Sequence, residues 1–444
     1  MRSTAPPGPD RRNAGMFVGV SLFSGFGGTV MSLVAGMWVL DLTGSSSLAA
    51  LTGLCVFAPT LLGPLLGALV DRLPRRPLVV WTHLLTAAAV LSLLAVDSAA
   101  QVWLIFAVML GYGVSYVLID AGESALLPAA LPADALGGVN GMRTSAQEGV
   151  KLVAPLAGAG LFGWGGGHPT VVLTAVVLTI AAGLYLLLRL APALPSPDPT
   201  TPGTSTPESG RTASGGGDSR PPGQRVGDAV RFLAGLPELR VTVLVGSVTM
   251  AMAALTTAAT YAVVSDDLHR PPTFLGVLTS AQGAGSILGG LLVGRLLRVR
   301  GTRATSVAGA LVFALGAALR CVPWWPATVA SALVIGIGLP WTVVAAVTAV
   351  QTRTPARMLG RVAATANTLL FAPVAIATPV GAAMILLDHR VPLALAVAVC
   401  VGAGLAARRL GRADAVPLGP TDAAADAAAS GAPPERKPAG PVSV

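Results

Sequence analysis

The chain has 444 residues, of which 53% are hydrophobic and 11% charged, with a formal net charge of +9 and a mean hydropathy of +0.72. A water-soluble domain carries about 25% charged residues, so this composition excludes an ordinary soluble enzyme and implies a protein solvated mainly by lipid. The basic surplus does not indicate nucleic acid, because the positions of the charges follow another rule. If the N-terminus is placed in the cytoplasm, only Arg270, Arg320 and Arg390 fall on the far face and Lys151 lies inside an apolar segment. The other Lys and Arg residues occupy loops and tails on the N-terminal side, as lysines and arginines retained in the cytoplasm do.

Met1–Ala14 is polar and Pro-rich, and it lacks the features of a cleavable signal peptide. Twelve apolar runs follow, each near the roughly 20 residues that span a bilayer. In the first half they are Met16–Leu40, Leu48–Val70, Pro77–Val96, Gln101–Gly122, Asn140–Phe162 and Pro169–Leu190. In the second they are Val241–Val264, Thr273–Gly294, Ala304–Val322, Ala327–Val350, Arg361–Leu387 and Val391–Ala407. Lipid offers backbone groups no partner, so each run is expected to be a helix. The reading is an all-α membrane protein of twelve transmembrane helices.

Ala191–Arg240 differs in character. Pro, Ser, Thr and Gly crowd Pro195–Gly223, which reads as a flexible cytoplasmic linker, with a short surface helix possible at Val226–Leu239. The expected organisation is a tail at 1–14, a six-helix bundle at 15–190, the linker at 191–240, a second bundle at 241–410 and a disordered tail at 411–444. The bundles read as copies. Gly67-Ala-Leu-Val-Asp71-Arg72-Leu-Pro-Arg75 aligns with Gly290-Leu-Leu-Val-Gly294-Arg295-Leu-Leu-Arg298 at an offset of 223. Pro132–Val139 aligns with Pro355–Val362 at the same offset, which implies a duplicated, pseudo-symmetric unit. Asp71 has become Gly294 in the second copy, so any acidic group there acts in the first half alone.

The loop Gly67–Arg76 resembles the signature loop of the major facilitator superfamily, Gly-x-x-x-Asp-Arg-x-Gly-Arg-Arg, in Gly67, Asp71, Arg72, Arg75 and Arg76. Pro74 replaces a usual glycine. Leu131–Asn140 resembles the exporter branch for drugs, macrolides and siderophores. The resemblance covers about residues 14–410 and implies a gating loop: Asp71 would bond the start of the eleventh helix near Gly360 and Arg361, where a helix dipole favours negative charge. The arginines would pair with Glu123 or with Asp134.

Segments four and five hold the one cluster of ionisable residues in or beside the membrane: Asp120, Glu123, Arg143, Glu148 and Lys151. Residue counting puts Glu123 and Arg143 roughly 4–8 Å from the interface, and Asp120, Glu148 and Lys151 about 10–16 Å in. Charges at that depth face a cavity or a partner. A Glu148–Lys151 pair at i,i+3 leaves Asp120 to exchange protons or meet substrate; the opposite assignment of the two acids remains open. Pro155 and Gly158 resemble the helix-bending motif of exporters, echoed by Pro379 and Gly381, although ordinary small-residue packing explains them equally. Thr256, Thr257, Thr260, Tyr261, Gln282, Trp341 and Asn367 are weaker cavity candidates.

Cys55, Cys321 and Cys400 are far apart and form no CxxC, so neither metal nor disulfide is indicated. There is no His-Glu-x-x-His and no phosphate-binding Gly-Lys loop, which argues against an enzyme and against a cofactor. The expected function is proton-driven efflux of a small amphipathic molecule by a monomer in the cell membrane, with both termini cytoplasmic. The expected partners are substrate, protons and lipid, and not nucleic acid. The alternatives are proton-linked metabolite uptake and a nontransporting sensor.

Overall fold

The computed structural model describes residues 9–63, 66, 70, 72–188 and 222–413, and these are almost wholly helical. The first half contains α1 (Pro9–Thr43), α2 (Ser46–Phe57, continued by a 3₁₀ turn at Ala58–Leu62), α3 (Arg75–Leu91), α4 (Val102–Ala130), α5 (Ala133–Gly165) and α6 (Gly167–Leu187). The second contains α7 (Pro222–Gly235), α8 (Pro237–Leu255), α9 (Thr257–Ala262), α10 (Phe274–Arg320), α11 (Trp325–Arg353), α12 (Ala356–Met384) and α13 (Arg390–Ala413).

Among the described residues, nine helical stretches are long and apolar enough to cross a bilayer unaided. Three further passes complete the twelve. The 47 residues of α10 would reach about 70 Å at 1.5 Å per residue, and Gly301 at φ 75° and ψ 173° folds them into two passes. A side chain resists that positive φ; glycine does not. The short apolar stretch Ser46–Leu62 begins the second pass. The remaining pass is α5, whose charges keep its hydropathy low and whose neighbours α1 and α10 cover it. Much of Pro195–Gly223 and both tails lie outside the described residues. The surface helix expected at Val226–Leu239 is present as α7, where Ala229 and Leu233 are buried against the second half.

The duplication is visible in the backbone. Helices starting at Val102, Ala133 and Gly167 recur at Trp325, Ala356 and Arg390, each 223 residues later. Matching side chains tie matching helices. Arg76 Nε donates to Tyr185 O at 3.1 Å, joining the third helix to the end of the sixth, and Arg303 Nε donates to Ala407 O at 3.1 Å in the second half. Carbonyls at a helix C-terminus lack intrahelical donors and carry partial negative charge, so guanidinium groups suit them. Asn13 Nδ2 donates to Ala130 O at 2.9 Å, joining the first helix to the end of the fourth, and Arg353 pairs with Glu238 at 2.6 Å where the second half repeats that corner.

The apolar core divides unevenly along the membrane normal. At the end away from the basic loops, one buried cluster includes Val34, Trp38 and Ala49 from the first half with Tyr261, Leu275 and Ala382 from the second. At the basic end each half keeps its own cluster: Phe17, Val79, Leu126 and Tyr185 in one, Leu239, Val350, Val362 and Leu370 in the other. The halves therefore meet at one end and stand apart at the other. Trp103, Trp164, Trp324 and Trp325 lie exposed at helix ends on the joined side, as an interfacial aromatic belt does.

Close helix approach depends on glycine in several places. A Cβ at Gly336 would collide with the carbonyl of Gln282 on α10. Nothing lies within 4 Å of a Cβ at Gly290. We expect Gly336→Ala to destabilise the purified protein by roughly 1–3 kcal/mol through overpacking, and Gly290→Ala to leave its thermal unfolding unchanged.

Candidate functional site

The turn between α4 and α5 is short: Leu131 and Pro132 are extended, and α5 starts at Ala133. Both helices therefore run several residues further toward the basic end than the apolar runs suggested. Glu123 lies seven residues, or about 10 Å, inside the end of α4, and Arg143 ten residues, or about 15 Å, inside the start of α5. They are not edge residues. Arg143 Nη2 meets Glu123 Oε2 at 2.6 Å, with side chains 15% and 10% exposed. Arg143 Nε donates to Ser21 Oγ at 2.9 Å and Nη1 to Asn140 Oδ1 at 3.2 Å, so α1, α4 and α5 converge on one guanidinium. The Glu123 partner proposed for the loop arginines is thus taken by Arg143.

At the same positions in the second half, 223 residues on, stand Ala346 and Ala366, both buried in one apolar cluster. The scaffold accepts either an ion pair or two methyl groups there, and the charge is confined to the first half.

Asp120, one turn before Glu123, is exposed and lines a cavity of about 210 Å³ with Ser124, Leu127, Leu136, Asn140 and Arg143. Lys151 Nζ and Glu148 Oε1 pair at 2.6 Å, as the i,i+3 spacing implied, but the side chains are 51% and 37% exposed. The expectation of a deeply buried pair is corrected: Glu148 shares a helical stripe with Pro155, which meets α10 at Gly276, and at the level of Glu148 the halves have already separated. An exposed pair of this kind contributes about 0–1 kcal/mol.

Of the gating loop, Gly67 and Asp71 lie outside the described residues, as does the side chain of Asp134. Arg72 is exposed, Arg75 opens α3, and Arg76 binds the carbonyls of Tyr185 and Leu186. Pro155 lies within α5, and Gly158 packs on Val30 and Val34 of α1. Pro379 lies within α12, where a Cβ on Gly381 would strike the Leu255 carbonyl. Thr260 accepts from buried Arg320 at 2.7 Å, Tyr261 fills the space above Gly36, and Trp341 donates to Gly289 O at 2.9 Å. These three are packing or tethering residues in this conformation.

Sequence reasoning passed over Tyr185 and gave His83 no role. Both are fully buried beside Glu123, their rings 5.5 Å apart. A phenol and an imidazole inside runs that otherwise read as apolar were the one available signal.

The profile of the Major Facilitator Superfamily matches residues 16–255 and 241–441. The chain belongs to the major facilitator superfamily. No curated protein matches the sequence. Among solved structures, the chain is similar to the nucleoside transporter NupG (13% identity, TM-score 0.66, covering 90% of this chain and 98% of that one). It is also similar to a bacterial homologue of the iron transporter ferroportin in an inward-facing state (14% identity, TM-score 0.64, 90% and 98% covered). A third is the peptide transporter POT in complex with sulfate (14% identity, TM-score 0.62, 90% and 95% covered). At such identities these likenesses concern the fold. The protein is thus a multi-pass membrane protein of a transporter family.

Removing one member of the Glu123–Arg143 pair leaves a buried charge unpaired, which costs about 3–5 kcal/mol. Glu123→Ala is expected to lower expression and thermal stability sharply, and Glu123→Ala with Arg143→Ala, the pairing found at Ala346 and Ala366, to recover most of the loss. Glu148→Gln should change stability by no more than about 1 kcal/mol.

Proposed function

We propose that this protein is a secondary active transporter that exports a small amphipathic molecule of the drug, macrolide or siderophore class, driven by inward proton flow. The observation that carries this reading is the buried Glu123–Arg143 pair, present in one of two otherwise matching halves. A structural pair is dispensable at that position, since Ala346 and Ala366 pack there without it. Buried membrane charge retained where apolar packing suffices is the mark of a working group.

The step follows from the geometry. With Glu123 ionised, Arg143 is held on α4. A proton arriving on Glu123 cancels that attraction and frees the guanidinium to turn to Asp120, which borders the same cavity one helical turn away. Proton binding thereby changes the charge presented to the space between the halves. Asp71 would act later, latching the basic end shut against the start of α12. Its neutral counterpart Gly294 assigns that role to the first half. In this reading the basic end faces the cytoplasm, both termini are cytoplasmic, and the protein is a monomer in the cell membrane that needs no cofactor.

Everted membrane vesicles and a panel of fluorescent amphipathic dyes test the direction and the coupling. Export is read as proton-dependent dye accumulation inside the vesicles. Asp120→Asn is expected to abolish accumulation while dye binding persists, and Asp71→Asn to lower it strongly while Gly294→Asn does so mildly. Movement in the opposite direction would instead establish uptake, and no movement of any dye under an imposed gradient would favour a sensor.

A further inference from the structure

The basic end of the first half holds three buried side-chain atoms with no hydrogen-bond partner: Glu123 Oε1, Tyr185 Oη and His83 Nε2. They come from three helices, α4, α6 and α3, and share one apolar cluster with Phe17, Val79 and Leu126. A buried polar group left unpaired typically costs about 1–3 kcal/mol, so three in one place call for an account.

The donor and acceptor inventory supplies one. His83 Nδ1 lies 2.9 Å from Val79 O, a carbonyl that can only accept, so Nδ1 carries the hydrogen and Nε2 of the neutral ring is a bare acceptor. Tyr185 both donates and accepts through one rotating hydroxyl, faces the Glu123 carboxylate, and holds its ring 5.5 Å from that of His83. With Glu123 ionised, the hydroxyl can donate to Oε1, which leaves His83 Nε2 without a donor. One added proton changes the count. The new O–H of Glu123 donates to Tyr185 Oη, and the Tyr185 hydroxyl turns and donates to His83 Nε2. All three atoms are then satisfied.

We propose that Glu123, Tyr185 and His83 form a three-helix relay whose hydrogen bonds close only when one proton is added, Tyr185 turning its hydroxyl from the carboxylate to the imidazole. Tyr185 and His83 are positioning residues: they hold the protonated form of Glu123 while Arg143 leaves it. The other charged groups around the relay have defined places. On α1, Arg12 is bound to Leu187 O; on α3, Arg76 is bound to Tyr185 O and Leu186 O; on α4, Asp120 borders the cavity; on α5, Arg143 is bound to Glu123. On α6 the relay member is Tyr185 itself. The proposal rests on the reading that Glu123 takes up the driving proton.

Infrared difference spectroscopy of the full-length protein in lipid nanodiscs, titrated between about pH 4 and 9, tests both, with the proton as the probe. The expected result is a protonated-carboxyl band that disappears in Glu123→Gln. Tyr185→Phe, which keeps the ring against Phe17 and His83 and loses only the hydroxyl, should shift that band to the frequency of a carboxyl without an acceptor. His83→Asn, which keeps a donor for Val79 O and loses the Nε2 acceptor, should produce a smaller shift. Nitrogen NMR of labelled histidine should show His83 Nε2 gaining a hydrogen bond on acidification, a change lost in Tyr185→Phe. An unchanged band in both variants would overturn the relay and leave the Glu123 reading standing. Absence of any Glu123-dependent band would overturn both.

Discussion

A charge inside a bilayer must find a partner or reach water, and most of this structure's polar chemistry follows from that constraint. Arg143 satisfies it through a carboxylate, a hydroxyl and an amide from three segments. Arg76 and Arg303 satisfy it differently, by capping the carbonyl ends of α6 and α13, where no carboxylate is needed. Arg320, also buried, spans from Thr260 to Ser331 and joins three helices of the second half. Each guanidinium thus acts as a tie between elements that lipid alone would not press together, since tails and leucine side chains are equally apolar. The close helix contacts then fall to glycine. Gly276 admits Pro155 and Ala159, and Gly283 approaches the Lys151 carbonyl, so α5 and α10 meet backbone to backbone.

The two halves make the functional argument sharper than a single bundle could. Their ties correspond, helix for helix, which identifies Arg76, Arg303 and the α1–α4 corner as parts of the scaffold. What does not correspond is informative for the same reason. Glu123, Arg143, Tyr185 and His83 have no polar counterparts grouped in the second half, where Ala346, Ala366 and Leu370 fill an apolar core. Asp71 has none either.

The number of passes, the linker and the duplication were legible because each rests on a long feature: runs of some twenty apolar residues, or a pattern repeated at a fixed offset. The site was half legible. Asp120, Glu123, Arg143, Glu148 and Lys151 stand out in an apolar sequence simply by being charged, and the i,i+3 pairing of Glu148 with Lys151 follows from helical spacing. Their depths did not follow, because α4 continues to Ala130 and α5 begins at Ala133, through residues too polar to read as membrane. Nor did the pairing of Glu123, which depends on how two helices rotate about their axes. Tyr185 and His83 lie 102 residues apart in the chain, and nothing local announces that a fold brings them together. The choice of Arg76 for a backbone carbonyl was equally hidden, since carbonyls are everywhere in a sequence.

The arrangement also explains why proton chemistry and opening can be linked in this fold. The halves share one core at the end away from the basic loops, where Tyr261 lies against Gly36 and Ser47 Oγ donates to Ala382 O at 2.7 Å. At the basic end they have separate cores, so that end already stands open in the structure. The Glu123–Arg143 pair and its two buried neighbours belong to the separate core of the first half, beneath the loop that carries Arg72, Arg75 and Arg76. Arg76 grips the backbone of Tyr185, and the hydroxyl of Tyr185 faces Glu123. One residue therefore connects the loop to the buried carboxylate through its main chain on one side and its side chain on the other. A change of protonation at Glu123 acts at the base of the loop, a short distance from where closure has to occur. No long pathway through the bundle is required.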